Sequence, residues 1–301
     1  MSETLKAVVL HDRKIIAVSG ADRRKFLQGL VTNDIRRLAP DRACYTGLLT
    51  GQGKLLYDFF VVDDDDRILI DIAAVHVEDF FKRLTKFKLR AAAEFVEATP
   101  ALAIAVAWGT EAVARLGLNP TEGAAGKGIL VAAHCVFADP RLTALGARLM
   151  FPAGFPIETG LAPLGFVSAT APDYVTHRLA LGVADSTEIG GEICYPLEAN
   201  FEPLHGVDFK KGCYVGQELT ARMKLKGDLR KRVLPVIGTA PLPATGTPVT
   251  ADGIELGALV AAAGNQGLAL LRLDRLANAK EGAIRALEVP VSVQWPNWLP
   301  Q

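Results

Sequence analysis

Cysteine is scarce and scattered in this chain of 301 residues. Its four cysteines, Cys44, Cys135, Cys194 and Cys213, form no C-x-x-C and no cysteine–histidine pattern at zinc spacing. His134 beside Cys135 has no matching second pair. No metal site held within one chain is therefore expected, and the default reading is four free thiols, most of them buried as small hydrophobes. Net charge is lacking as well, since 33 Lys and Arg balance 33 Asp and Glu. Global charge then attracts neither nucleic acid nor a membrane, and any anion must be met by a local patch. No apolar run reaches the length of a membrane span, and Ala101 to Trp108 reads as a core strand. The amino terminus turns polar at His11, Asp12, Arg13 and Lys14 and shows no small-residue cleavage site. No secretory signal is read there, and the expected compartment is cytoplasmic.

What is present is a globular composition, half hydrophobic and 22% charged, long enough for two or three domains. Ser19 to Asp22 reads as a helix entry, with Phe26, Leu27 and Leu30 at helical spacing and Thr32-Asn33-Asp34 as the stop. Lys54 to Val62 and Arg67 to Ile72 are expected strands joined by Asp63-Asp64-Asp65-Asp66. Four adjacent acids suit a solvated hairpin tip better than a cation site, which draws ligands from spaced positions around a glycine. Val77, Phe80, Phe81 and Leu84 mark an amphipathic helix. Short strands follow, Gly128 to Ala138 among them, and then a Pro/Gly-rich stretch from Pro152 to Pro163 that reads as a domain exit. Beyond Arg232, Gly and Pro recur at short intervals among β-forming runs, which suggests a closing β-barrel. The expected class is α+β ending in an all-β domain.

The densest information lies between Pro196 and Arg232. Gly212 and Gly216 bracket Cys213, Tyr214 and Val215, suggesting a tight turn or a close approach. Gln217 to Met223 has helix-forming composition, which sets Cys213 just before a helix amino terminus. The partial positive charge there, with Lys210 and Lys211 adjacent, favours thiolate over thiol. A cysteine that merely packs is the competing reading, and the flanking lysines and glycines argue against it. Between 210 and 232, eight Lys and Arg stand against Glu218 and Asp228. That excess suits an anionic partner or a solvated linker. Nucleic acid is the weaker reading, because Tyr214 is the only aromatic available to stack a base.

Lys211-Gly212-Cys213-Tyr214-Val215-Gly216-Gln217-Glu218 resembles the K-G-C-Y-x-G-Q-E signature of the YgfZ family. FLQGLVTND (Phe26 to Asp34), PLEAN (Pro196 to Asn200), GDLRKRVLPV (Gly227 to Val236) and the closing LGALVAAAGNQGLALLRL resemble further parts of that family in the right order. The likeness covers nearly the whole chain, is weakest from Ala91 to Pro163, and is closest to the branch with mitochondrial members. It implies the multi-domain folate-binding fold of the glycine-cleavage T-protein, an aminomethyltransferase. The implied domains are a discontinuous α+β domain (1–90 plus 164–232), an inserted α+β domain (91–163) and a C-terminal β-barrel (233–301).

The family further implies tetrahydrofolate or a related folate as cofactor, with no tightly bound metal. It implies a role in assembly or repair of 4Fe-4S enzymes, with those enzymes or cluster carriers as partners and Cys213 as the working thiol. Cys213 is then a possible transient cluster ligand. The alternatives are a folate-dependent aminomethyltransferase-like enzyme and an RNA-binding module built on the basic segment. The positions implied to face folate are Arg178, Tyr57, Arg148 and Lys211. Arg178 falls where the T-protein has a folate-contacting arginine. Tyr57 replaces the first acid of an aspartate pair, with Asp58 as the second; Ile72 replaces a pterin-contacting asparagine and Arg148 a pterin-binding glutamate. An arginine cannot accept the paired donors of a pterin, so the expectation is an aspartate-centred site exchanged for a cysteine-centred one.

Overall fold

A computed structural model describes residues 4–126, 133–227, 229–280 and 282–300. The part of the expected strand Gly128 to Ala138 that falls on 127–132 lies outside the described residues. The chain divides into two units: Met1–Leu49, Tyr57–Ala171 and Leu204–Val215 form the first, and Thr50–Leu56, Pro172–Pro203 and Gly216–Gln301 the second.

In chain order the first half contains β1 (Lys6–Val9), β2 (Arg13–Ser19), α1 (Arg23–Gln28), β3 (Cys44–Leu49), β4 (Leu55–Asp64), β5 (Arg67–Ala73), α2 (Val77–Lys88) and β6 (Glu94–Glu97). Then come β7 (Leu102–Trp108), α3 (Ala112–Arg115), β8 (Ala125–Gly126), β9 (Cys135–Ala138), β10 (Ala147–Pro152), α4 (Ile157–Leu161) and β11 (Val167–Ser168). A five-stranded sheet runs β3-β4-β5-β2-β6 and a six-stranded sheet β11-β1-β7-β10-β9-β8. Leu55 to Val62 is buried without alternation, the pattern of a strand covered on both faces. Phe80 and Leu84 supply the buried stripe of α2, while Glu78–Lys82 and Asp79–Arg83 pair at i, i+4 on its exposed side. At the acidic hairpin tip Asp63 pairs with Arg24 at 2.6 Å, and Asp64 with Arg67 and His134, both at 2.6 Å.

α5 (Ala171–Ala180) opens the second unit, followed by α6 (Ser186–Ile189) and α7 (Gln217–Lys226). The barrel is built from β12 (Lys231–Gly238), β13 (Pro248–Ala251), β14 (Ile254–Ala263), β15 (Gln266–Arg272), β16 (Ile284–Ala286) and β17 (Val289–Val293). It closes in the order β12-β15-β14-β13-β16-β17, which leaves no strand edge open. Leu234, Val236, Val249, Leu256, Leu259, Ala269 and Leu271 fill its core.

Candidate functional site

α1 ends at Gln28, and a helix end leaves carbonyls in search of donors. Those donors arrive from the signature, about 180 residues further along the chain. The Lys211 ammonium donates to the carbonyls of Gln28 (2.8 Å) and Val31, and the Val215 N–H donates to the Gly29 carbonyl (3.3 Å). Upstream, the Thr32 hydroxyl donates to the Gly206 carbonyl and the Asn33 amide to the His205 carbonyl, both at 2.6 Å. The Asp208 N–H returns a bond to the Thr32 carbonyl, and Asp208 pairs with Arg37 at 3.1 Å. FLQGLVTND and the first half of the signature are therefore two sides of one lock within the first unit.

Between the tie at Lys211 and the tie at Val215 stands a short arch. Gly212 and Cys213 on it are exposed, and Tyr214 is half-buried. Cys213 is the exposed thiol of the four. A Cβ on Gly212 would meet nothing within 4 Å, whereas Gly216 holds φ +79°, where any side chain is strained. The glycine requirement therefore sits at the second position, where Gly216 turns the chain into α7. Gln217 and Glu218 open that helix, and Glu218 is its first-turn acid, favourable to the helix dipole.

Lys211, adjacent to the thiol in sequence, does not stand in solvent. It is 7% exposed and turned inward, and its Nζ lies 4.9 Å from the centre of the Tyr214 ring. Burial pushes its pKa down to about 8, against the pull of Asp34, Cys44 and Asp208. Nearby Asp34 is held down to about 2, chiefly by hydrogen bonds from Arg36. The other three thiols are suppressed. Burial pushes Cys44 up to about 12, outweighing Lys211 and Arg42, and Cys135 up to about 11. Cys194 is raised by burial as well, with Glu198 adding to it.

The positions implied to face folate are engaged within the protein. In the first unit Tyr57 is 3% exposed and donates to Asp79 at 2.5 Å; burial and then that hydrogen bond raise its pKa. Ile72 is fully buried. Arg148 is buried against Asp71, with Nε donating at 2.7 Å and Nη2 in ion-pair contact at 2.6 Å. Arg13 holds the same carboxylate at 2.7 Å. The guanidinium carbons of Arg148, Arg141 and Arg13 stand 4.2, 4.8 and 5.6 Å from the centre of the Phe60 ring. Asp139 pairs with Arg141 at 2.8 Å, and Asp58 accepts from the Tyr45 hydroxyl at 2.6 Å. In the second unit Arg178 is buried and forks onto Glu188 at 2.8 and 2.6 Å, with a third bond to the Val183 carbonyl at 2.7 Å.

A pterin needs carboxylates free to accept its adjacent donors. Asp58, Asp71 and Asp139 already accept from Tyr45, from Arg13 and Arg148, and from Arg141. As arranged, Tyr57, Arg148, Arg178 and Lys211 are each engaged by protein partners. Arg13, Asp71, Asp79 and Glu188 are the partners that the sequence reading did not single out. The one signal for them was a charge set inside an apolar strand, as Asp71 is in RILIDI.

The architecture defines the class. The chain superposes on the crystal structure of glycine cleavage system aminomethyltransferase T from Bartonella henselae with a TM-score of 0.76. The match covers 99% of this chain and 87% of that one at 14% identity, a likeness of fold. Residues 230–301 match the family model for the CAF17 C-terminal beta-barrel domain. Among curated relatives, the mitochondrial iron–sulfur cluster assembly factor IBA57 of Homo sapiens is 33% identical, over 95% of this chain and 84% of its own length. The IBA57 homologs of Mycosarcoma maydis and Neurospora crassa are 32% and 34% identical. The matches to those two fungal proteins span 60% and 56% of their length.

The chain belongs to the IBA57 family of iron–sulfur cluster assembly factors, in agreement with the YgfZ-like family resemblance. The relatives are named as mitochondrial, which overturns the cytoplasmic expectation. The amino-terminal reading had tested only for a secretory signal, which carries no information about import into an organelle. Among the described residues no helix is long and apolar enough to cross a membrane.

Proposed function

We propose that the chain assists assembly or repair of iron–sulfur enzymes, and that Cys213 is the group that meets the cluster or the protein delivering it. The observation that carries this reading is the contrast among the thiols: three are suppressed by burial, while Cys213 is presented on an arch tied at both ends. A single thiolate cannot complete the ligand set of a cluster, so the cargo must bring other ligands from a client enzyme or a carrier. The arch contributes one sulfur at a fixed place. Its ties remove the ordering cost that a free loop would meet on binding.

Folate enters this reading only through the fold. With Arg148, Tyr57, Arg178 and Lys211 committed to protein partners, no step of the proposal passes through it. The T-protein-like transferase is the lesser alternative, because Tyr57 presents to Asp79 a hydroxyl where one-carbon chemistry would want an acid.

The test is genetic and biochemical. The gene is deleted, wild-type protein or Cys213→Ala is restored at matched levels, and an aconitase-type 4Fe-4S enzyme is assayed in extracts. Rescue by wild type alone is expected. Equal rescue by both would make the cysteine dispensable and overturn the cysteine-centred reading; an undiminished activity in the deletion would overturn the assembly role itself.

A further inference from the structure

α7 in the second unit is unusual for how little of it is covered: Thr220 is its only buried residue. Glu218, Ala221, Arg222 and Leu225 share one side of the helix by their three- and four-residue spacing, and all four are exposed. Lys224 is tied to Glu202 at 2.5 Å, and Lys224 and Lys226 lie in the last turn, where cations suit the helix dipole. Helix stability thus accounts for part of the charge. It does not account for Leu225, which is 87% exposed, or for Arg222 in mid-helix. Among the described residues neither Arg222 nor Lys226 has an ion-pair partner.

The surrounding composition is as one-sided. From Gly216 to Arg232 six Lys and Arg stand against Glu218 and Asp228, in a chain whose net charge is zero. The exposed cations Arg222 and Lys226 beside a bare Leu225 complement a protein segment with an apolar side chain set among carboxylates. Nucleic acid fits less well. An exposed leucine gains nothing from a phosphate, and residues 217–232 contain no aromatic to stack a base.

We propose that the outer face of α7, centred on Arg222, Leu225 and Lys226, is a docking surface for an acidic protein segment bearing an apolar anchor. The assignment goes beyond the cluster-handling reading and requires neither the cluster nor Cys213.

The experiment uses the full chain and fluorescence anisotropy. The probes are a labelled 12-residue peptide with one leucine among glutamates, the same peptide with serine in place of leucine, and a 12-nucleotide oligouridylate. Wild type is compared with Arg222→Glu/Lys226→Glu, Leu225→Ser and Cys213→Ser, with circular dichroism as the folding control. The leucine peptide is expected to bind wild type and Cys213→Ser alike, and to lose about tenfold or more in affinity on the double charge reversal. Leu225→Ser is expected to erase the preference for leucine over serine in the peptide. Absence of peptide binding, or equal binding by the charge-reversed protein, overturns the proposal. Tighter binding of the RNA that is lost on charge reversal also overturns it and assigns the face to nucleic acid. Cys213→Ser separates the two readings, because it tests cluster rescue while leaving the docking face intact.

Discussion

Lys211→Met tests whether the arch carrying Cys213 is held by a buried amine. The substitution keeps the length and apolar stem of the side chain but removes both hydrogen bonds, leaving the carbonyls of Gln28 and Val31 without that donor. Against the neutral amine, two such losses cost on the order of 2–4 kcal/mol. The pH dependence is the sharper signature. The amine has an ordinary pKa of 10.5 and is pushed down to about 8 in the fold. Between those values the unfolded chain holds a proton that the folded chain has lost, so stability rises with pH across that window. Below about pH 8 both states are protonated and the penalty of a buried ammonium is borne in full; above about 10.5 both are neutral and it has vanished. The rise amounts to roughly 3 kcal/mol. A neutral amine still has two hydrogens for the two carbonyls, so the tie survives deprotonation. The assay is urea denaturation of wild type and Lys211→Met from pH 7 to 11, followed by a probe in the first unit. The stability difference between the two proteins should widen steadily from pH 8 to 10.5. A flat difference would refute the placement of Lys211 as an internal tie.

Three further outcomes follow from the same geometry. A thiol reagent applied to the native protein should add one adduct rapidly, at Cys213, and Cys213→Ser should show none on that timescale while unfolding within about 0.5 kcal/mol of wild type. Intact mass and denaturation curves check both. Asp71→Ala leaves Arg13 and Arg148 without their shared buried carboxylate and should cost about 3–5 kcal/mol, read as a fall in denaturation midpoint or in soluble yield. Gly257→Ala in the barrel would bring a Cβ within 1.9 Å of the Leu270 carbonyl. It should lower the melting temperature markedly, whereas Gly212→Ala, with open space around it, should not.

Much of the fold was legible because local chemistry and tertiary packing agree. The β4–β5 hairpin, α2 and the closing barrel all carry patterns that only one secondary structure satisfies. The family resemblance was legible from the eight-residue string at 211–218. The direction of Lys211 was not, because it depends on the end of α1, whose free carbonyls lie some 180 positions earlier. Arg178 illustrates the same limit. Its partner Glu188 is only ten residues away, yet that carboxylate is oriented by a capping box with Asp185 that composition does not reveal. Arg148 stands out as a charge in a strand, but its counterion Asp71 and the neighbouring Arg13 lie on strands of the other sheet of the first unit, and the three meet only in the folded unit. Buried polar pairs are set by long-range contacts, and periodicity is blind to them.

The order of synthesis gives the arch a further meaning. The chain leaves the first unit after Ala171, builds part of the second, and returns at Leu204–Val215 to finish the first. The segment that seals the end of α1 is therefore the last piece of that unit to leave the ribosome, and it is also the segment that displays the thiol. A nascent or truncated chain ending before this return has the sheets but no Cys213 to offer. Cys213 is thus presented on the arch only once the last segment of the unit holding it has been made.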